Sequence, residues 1–286
     1  MDNSIQSLLI QSYDLLKNVH IESYRLDAQL LMAKAINKDR LFVMTNRDYK
    51  VDTKQQQEFW NFINLRIKHM PVKYITGECE FMGMNFIITP GVLIPRPDTE
   101  TLVESAINDI KKNNATSVCD VCCGSGAIGI SIADYIPEVI VNCYDISDTA
   151  CDVTKRNIDK FLLKERVFVE KSDILNLPVI ENKKFQMIVS NPPYIKDEDI
   201  CKLMSDVKDY EPYEALYGGE DGVEFYIKIT KQSLKLLDNY GILAFEIGDT
   251  QKNQVMDIMK SNGFSNIYCI KDLAGRDRVV KGILKR

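Results

Sequence analysis

The chain of 286 residues predicts an α/β fold. A doubly wound, mostly parallel sheet of seven strands lies behind a small N-terminal helical bundle, and a β-hairpin joins the two. Three observations predict it. Up to about residue 75 the apolar residues recur at helical spacing. From Tyr74 the period shortens to that of extended chain. Beyond residue 100 short apolar runs alternate with amphipathic stretches, the pattern of right-handed βαβ units.

The bundle, residues 1–75, rests on Ile5, Leu8, Leu9, Tyr13, Leu15 and Leu16, then on the strong helix formers of residues 27–35. Phe59, Phe62, Ile63, Leu65 and Ile67 form a further stripe, with Asp52 or Thr53 as cap and Pro71 as stop. Residues 76–92 read as the linking hairpin, strands 78–81 and 84–88 turning at Met82-Gly83. The sheet domain, residues 93–286, opens on Leu93-Ile94-Pro95-Arg96-Pro97-Asp98-Thr99-Glu100. Its prolines exclude helix until Asp98 or Thr99 caps the next one. This stiff loop either serves a site or merely connects. The strands then fall at 117–121, 139–144, 167–169, 185–190, 241–246, 266–270 and 278–280.

Composition narrows the class. Hydrophobic content of 45% and charged content of 27% are those of a globular protein with a full core. The net charge of -5 supplies no bulk attraction to nucleic acid. No apolar run reaches spanning length, and the start Met1-Asp2-Asn3-Ser4 lacks the features of a signal peptide. Eight scattered cysteines point to buried thiols in a reducing, cytoplasmic setting. Cys119 and Cys122 form an isolated C-x-x-C without partners at zinc spacing, so no metal is expected.

The first sheet strand ends in Asp120-Val121-Cys122-Cys123-Gly124-Ser125-Gly126. Glycines let backbone approach a ligand closely, and amides at the following helix start stay open. Asp145 ends the second strand, where a carboxylate can bind two ribose hydroxyls. Ser147 or Asp148 can cap the next helix, which leaves Asp145 free. A nicotinamide site favours G-x-G-x-x-G. This turn is shorter and acidic, with Asp120 set to meet an ammonium group. S-adenosylmethionine, with an amino-acid tail, a ribose and no phosphate, suits Asp120 and Asp145. Asp173 is either an acceptor for the adenine amino group, with Ile174 against the ring, or a surface carboxylate.

The fourth strand is stopped by Asn191-Pro192-Pro193-Tyr194. Neither proline can donate to a ladder, and open α/β sheets bind ligands at that end. The Asn191 side-chain oxygen and the Pro192 carbonyl can grip one conjugated NH2 between them, and Tyr194 can pack on its flat carrier. The bland alternative is a strand-ending turn. A chance Asn-Pro-Pro-Tyr in such a chain is on the order of one in a thousand.

Together with Glu211-Pro212-Tyr213-Glu214-Ala215-Leu216, these motifs resemble the protein-(glutamine-N5) methyltransferases of the PrmC/HemK type, a Rossmann-like class I family. The resemblance covers nearly the whole chain. It implies methyl transfer from S-adenosylmethionine to the glutamine of the Gly-Gly-Gln loop of peptide chain release factors, leaving S-adenosylhomocysteine. It implies that the helical domain docks the release factor. Asn191, Pro192, Pro193 and Tyr194 would hold the glutamine, with Asn191, Pro192 and Tyr194 as the catalytic set. Asp120, Cys122, Cys123, Gly124, Ser125, Gly126, Asp145, Asp173, Ile174 and Asn191 would line the cofactor. Many relatives have Gly where Cys122 stands, which implies a changed fit to the methionine tail. A monomer without need of nucleic acid or membrane is expected. An amide nitrogen is a poor nucleophile, so orientation and two acceptors carry the work, and no strong base is needed.

Three rivals remain in view. Methylation of an exocyclic amine of adenine or guanine suits the same corner, but the acidic balance opposes it. A nicotinamide oxidoreductase is opposed by the glycine spacing, and a non-catalytic binding module by the Asn191 corner.

Overall fold

A computed structural model of the chain describes residues 2–286. Met1, where the predicted bundle begins, lies outside the described residues. The chain divides into two compact units. One runs to Glu78 and also takes in Met204–Tyr210; the other comprises Cys79–Leu203 and Glu211–Arg286.

The helical unit holds α1 (Ile5–Asn18), α2 (Tyr24–Ala35), α3 (Arg40–Thr45), α4 (Thr53–Ile67) and α5 (Val72–Thr76). Caps set the starts. Ser4 accepts from the Ser7 amide, and Asp52 forms a reciprocal box with Gln55. α4 stops at Ile67, four residues before Pro71, which instead begins α5. Leu8, Leu31, Met32, Phe59 and Ile63 form the core. At its centre Arg66 Nε lies 2.7 Å from Asp27 Oδ2, both side chains buried. Arg66 also reaches Asp206 at 2.7 Å, and His69 Nδ1 lies 3.4 Å from the same carboxylate.

The hairpin strands β1 (Glu78–Phe81) and β2 (Met84–Ile87) pair with each other. After them come α6 (Glu100–Asn113), β3 (Ser117–Val121), α7 (Ala127–Tyr135), β4 (Ile140–Asp145), α8 (Asp148–Lys160), β5 (Val167–Lys171), α9 (Asn176–Ile180) and β6 (Phe185–Ser190). Three short helices follow, α10 (Asp197–Ile200), α11 (Ser205–Lys208, in the helical unit) and α12 (Tyr213–Leu216). The chain closes with α13 (Glu224–Leu236), β7 (Leu237–Glu246), α14 (Lys252–Ser261), β8 (Phe264–Lys271) and β9 (Asp277–Leu284).

The strand order is β5-β4-β3-β6-β7-β9-β8, parallel except where β9 runs against β7 and β8. This is the predicted seven-stranded, doubly wound sheet. The chain winds outward from β3 through β4 to β5, then returns to β6 beside β3 and winds the other way. The switch point therefore lies between the carboxyl ends of β3 and β6, where ligands bind in such sheets. Val121 pairs with Ser190 there, and the buried Ser190 hydroxyl donates to the Val121 carbonyl at 2.6 Å. The central strands are buried on both faces, as continuous apolar runs require. No helix among the described residues is long and apolar enough to cross a membrane.

Candidate functional site

The glycine turn after β3 is built on three left-handed residues. Cys122 has φ 60°, Gly124 φ 58° and Gly126 φ 78°. For Cys122 that conformation costs about 1 kcal/mol or more, and the structure thus gives the reason why glycine suits the position. At Gly126 a side chain would also meet Thr154 Cγ2 at 2.8 Å. α8 pins the turn from beneath with two wholly buried polar residues. Thr154 Oγ1 donates to the Gly124 carbonyl at 3.0 Å. Asn157 Nδ2 donates to Ser125 and Ile87 carbonyls while its Oδ1 accepts from the Ile87 amide, tying the hairpin to the turn.

Two carboxylates flank the turn. Asp145 is not left free: its Oδ2 accepts from the Gly124 amide and its Oδ1 from the Ser147 amide, both at 2.9 Å. Of the two expected caps, Ser147 and Asp148, it is Ser147 that caps α8. Burial raises the Asp145 carboxyl, and those amides oppose the rise. Asp120, expected to meet an ammonium group, is 0% exposed. Its Oδ2 accepts from the Gly129 amide at 2.9 Å, and its Oδ1 has no partner. Burial pushes the Asp120 carboxyl up to about 7, against the pull of the Gly129 amide.

Ser172, Asp173 and Ile174 lie beside Asp145, the Ser172 amide donating to the Asp145 carbonyl at 2.9 Å. Asp173 is exposed, with its Oδ2 3.3 Å from Asn176 Nδ2. Ile174 is buried at φ 53°, a strained conformation for a β-branched side chain.

The proline corner follows β6 directly. Asn191 Nδ2 donates to Thr99 Oγ1 at 3.3 Å. Of the two expected caps, Asp98 and Thr99, Thr99 takes the N-cap position of α6, but its side chain makes no capping bond and meets Asn191. Among the described residues, nothing donates to Asn191 Oδ1 or to the Pro192 carbonyl. The Tyr194 carbonyl accepts from Gln251 Nε2 at 3.0 Å. That buried amide also donates to the Gly222 carbonyl and accepts from the Gly248 amide, each at 3.0 Å, so the side chain that holds Tyr194 is itself fixed by two segments. The Tyr194 hydroxyl donates to Glu246 Oε1 at 3.5 Å.

The proline-rich loop touches both halves of the site. Val92 packs with Ala150 and Val153 of α8 and stands 3.9 Å from where a side chain on Gly124 would begin. Ile94 and Arg96 both bind the buried Glu211, and Thr99 meets Asn191. The two motifs 93–100 and 211–216 are therefore one ion-paired assembly.

The sequence reading missed Thr154, Asn157, Thr99 as a partner of Asn191, Gln251 and Glu246. Only Glu246 carried a signal, as a charge closing an otherwise apolar strand.

Sheet order, the glycine turn and the corner at the switch point define a methyltransferase of the seven-stranded α/β class. The methyltransferase small domain model matches residues 98–206, and the PrmC N-terminal domain model matches residues 7–77. A methyltransferase structure from Pyrococcus furiosus shares the fold, with a TM-score of 0.51 and 17% identity, covering 72% of this chain and 91% of that one. The release factor glutamine methyltransferase of Clostridium botulinum is 52% identical over 97% of this chain and 98% of its own length. That of Clostridium acetobutylicum is 48% identical over 98% of both. The chain belongs to the release factor glutamine methyltransferase family.

Proposed function

We propose that this enzyme methylates the side-chain amide nitrogen of the glutamine in the Gly-Gly-Gln loop of peptide chain release factors, using S-adenosylmethionine. The observation that carries the reading is the unspent pair of acceptors, Asn191 Oδ1 and the Pro192 carbonyl, beside the glycine turn. Two acceptors aimed at one NH2 orient it and favour the developing positive charge on nitrogen. Tyr194 and Pro193 would flank the glutamine carrier.

The residues present fit the cofactor. Asp120 Oδ1 is an unpartnered buried acceptor below the turn, the charge type an ammonium group requires. The turn from Cys122 through Cys123, Gly124, Ser125 and Gly126 presents backbone without bulk. Asp145 keeps lone pairs for hydroxyls beyond the two amides it holds. Asp173 and Ile174 would take the adenine edge and face. When bound, the sulfonium supplies an activated methyl group.

The helical unit would dock the release factor, and the hairpin 76–92 would link it to the sheet unit. Eight free thiols suit a reducing cytoplasm. The chain would act as a monomer, without nucleic acid.

Incubation with labelled S-adenosylmethionine and purified release factor, followed by mass mapping, should place one methyl on that glutamine. Asn191→Ala should lower transfer at least about 100-fold, with cofactor affinity retained in calorimetry. Equal loss of transfer and cofactor binding would count against the assigned role.

A further inference from the structure

We propose that Gln251 is a positioning residue for methyl transfer, acting through the Tyr194 backbone to hold the Tyr194 ring against the glutamine carrier. The inference rests on the reading of residues 191–194 as the glutamine site.

Gln251 occupies the N-cap position of α14, where serine, threonine, asparagine and aspartate are preferred. Its side chain makes no capping bond there. It is buried and turns back to the corner instead. Nε2 donates to the Tyr194 and Gly222 carbonyls, and Oε1 accepts from the Gly248 amide, each at 3.0 Å. These partners force the orientation, because a carbonyl only accepts and a backbone N–H only donates. Turned over, the amide would set its oxygen against two carbonyls and its NH2 against an N–H.

The backbone closes around this amide without room to spare. A side chain on Gly222 would begin 2.6 Å from the Tyr194 carbonyl oxygen and 2.8 Å from Gln251 Nε2. One on Gly248 would begin 2.9 Å from Gln251 Oε1, and one on Gly218 would begin 2.6 Å from Tyr194 Cα.

Prolines 192 and 193 carry no N–H, so neither can donate a bond that would hold the corner. The chain is secured again at the peptide joining Tyr194 to Ile195. That unit is planar, and it is gripped at both ends. Gln251 holds its carbonyl, and the Leu216 carbonyl accepts from its N–H at 2.9 Å. Two bonds at opposite ends of one plane stop it turning about Tyr194 Cα, which fixes where the ring stands. The far end of the ring is tied only by the 3.5 Å contact of its hydroxyl with Glu246 Oε1. Without Gln251 the plane pivots on the Leu216 bond, and the ring leaves the place where it would orient the glutamine.

The test is kcat and KM for methyl transfer to purified release factor, beside cofactor affinity by calorimetry and the midpoint of thermal unfolding. Each protein is assayed well below its own midpoint. Gln251→Met keeps the length and loses all three bonds. It should lower kcat about 10- to 100-fold, the scale of a misplacement of about 1 Å. Cofactor affinity and KM for the release factor should stay within about twofold, since neither the glycine turn nor docking on the helical unit is touched. Gly248→Ala keeps Gln251, adds no left-handed strain and presses one methyl on Oε1. It should lower kcat about three- to tenfold with the same split. A merely structural glutamine would lower the midpoint and leave kcat of the folded enzyme alone. That result in Gln251→Met, or cofactor affinity falling as far as kcat, would overturn the proposal. Should Gln251→Met not fold, Gly248→Ala decides alone, and wild-type kcat there overturns it. No transfer by the unaltered enzyme would instead strike the proposed reaction, a separate failure.

Discussion

In the helical unit the buried carboxylate of Asp27 meets Arg66 Nε at 2.7 Å, and Arg66 goes on to Asp206 and to the Met70 carbonyl. In the sheet unit Asp120 and Glu246 are just as buried, yet each keeps one oxygen without a partner. Each carboxyl is raised by burial to about 7. Arg278, whose charge favours ionised Glu246, is committed to Asp98 and Asp272. A satisfied buried pair serves the fold, whereas an orphaned buried oxygen costs stability and stays available to a ligand or a proton. Both orphans stand at the carboxyl ends of their strands, beside the proposed substrate and cofactor sites.

Breaking the satisfied pair should give the largest effect. Arg66→Met leaves Asp27 buried alone and should cost about 3–5 kcal/mol in urea unfolding, with cofactor affinity unchanged. A loss below 1 kcal/mol would erase the contrast between the units.

Relieving an orphan should act in the opposite direction. A carboxyl raised in the folded state binds its proton there while the unfolded chain has lost it. Stability is then fully present below the unfolded value of 4.5 and declines as pH rises through about 7. For Glu246 that decline is at most roughly 3 kcal/mol, at 1.36 kcal/mol per pH unit. Glu246→Gln should remove it, so the variant should be the more stable protein at pH 8 and lose that advantage toward pH 5. Parallel stability curves for the two proteins would show that the carboxylate is not strained.

The smallest effect concerns the left-handed Cys122. Cys122→Gly exchanges backbone strain for chain entropy, and the first is the larger. The midpoint of thermal unfolding should rise by an amount equal to roughly 0.5 kcal/mol, and cofactor affinity should tighten. A lower midpoint would mean that the thiol packs better than the conformation costs.

How much of this was legible depended on whether a residue's role is local. Strands β3, β4 and β6 showed in the sequence because their apolar runs are bounded by glycine, aspartate and proline within a few residues. β7 begins at Leu237, four residues before the expected 241, because Asp238-Asn239 reads as a turn while Leu237 pairs across to Phe185. The Asn191 corner and the glycine turn are contiguous motifs and were visible. Thr99 looked like a cap, since a hydroxyl before a helix usually is one; its partner lies 92 positions away. Asn157 and Thr154 sit on an amphipathic helix with nothing to mark them, for their bonds go to the backbone of other segments. Asp145 looked free because a neighbour could cap α8, yet its two oxygens are held by amides on either side of it.

The clamp by which Gln251 grips Tyr194 has a bearing on the order of assembly during synthesis. The glycine turn and its supports in α8 have all emerged by Lys160, so that half of the pocket can mature early. The acceptor corner depends on Gly222, Glu246, Gly248, Gln251 and Arg278, spread over the last quarter of the chain. A nascent chain interrupted between Lys160 and Gly222 would hold a formed donor pocket without the clamp on Tyr194, so competence for transfer arrives well after the cofactor half of the site.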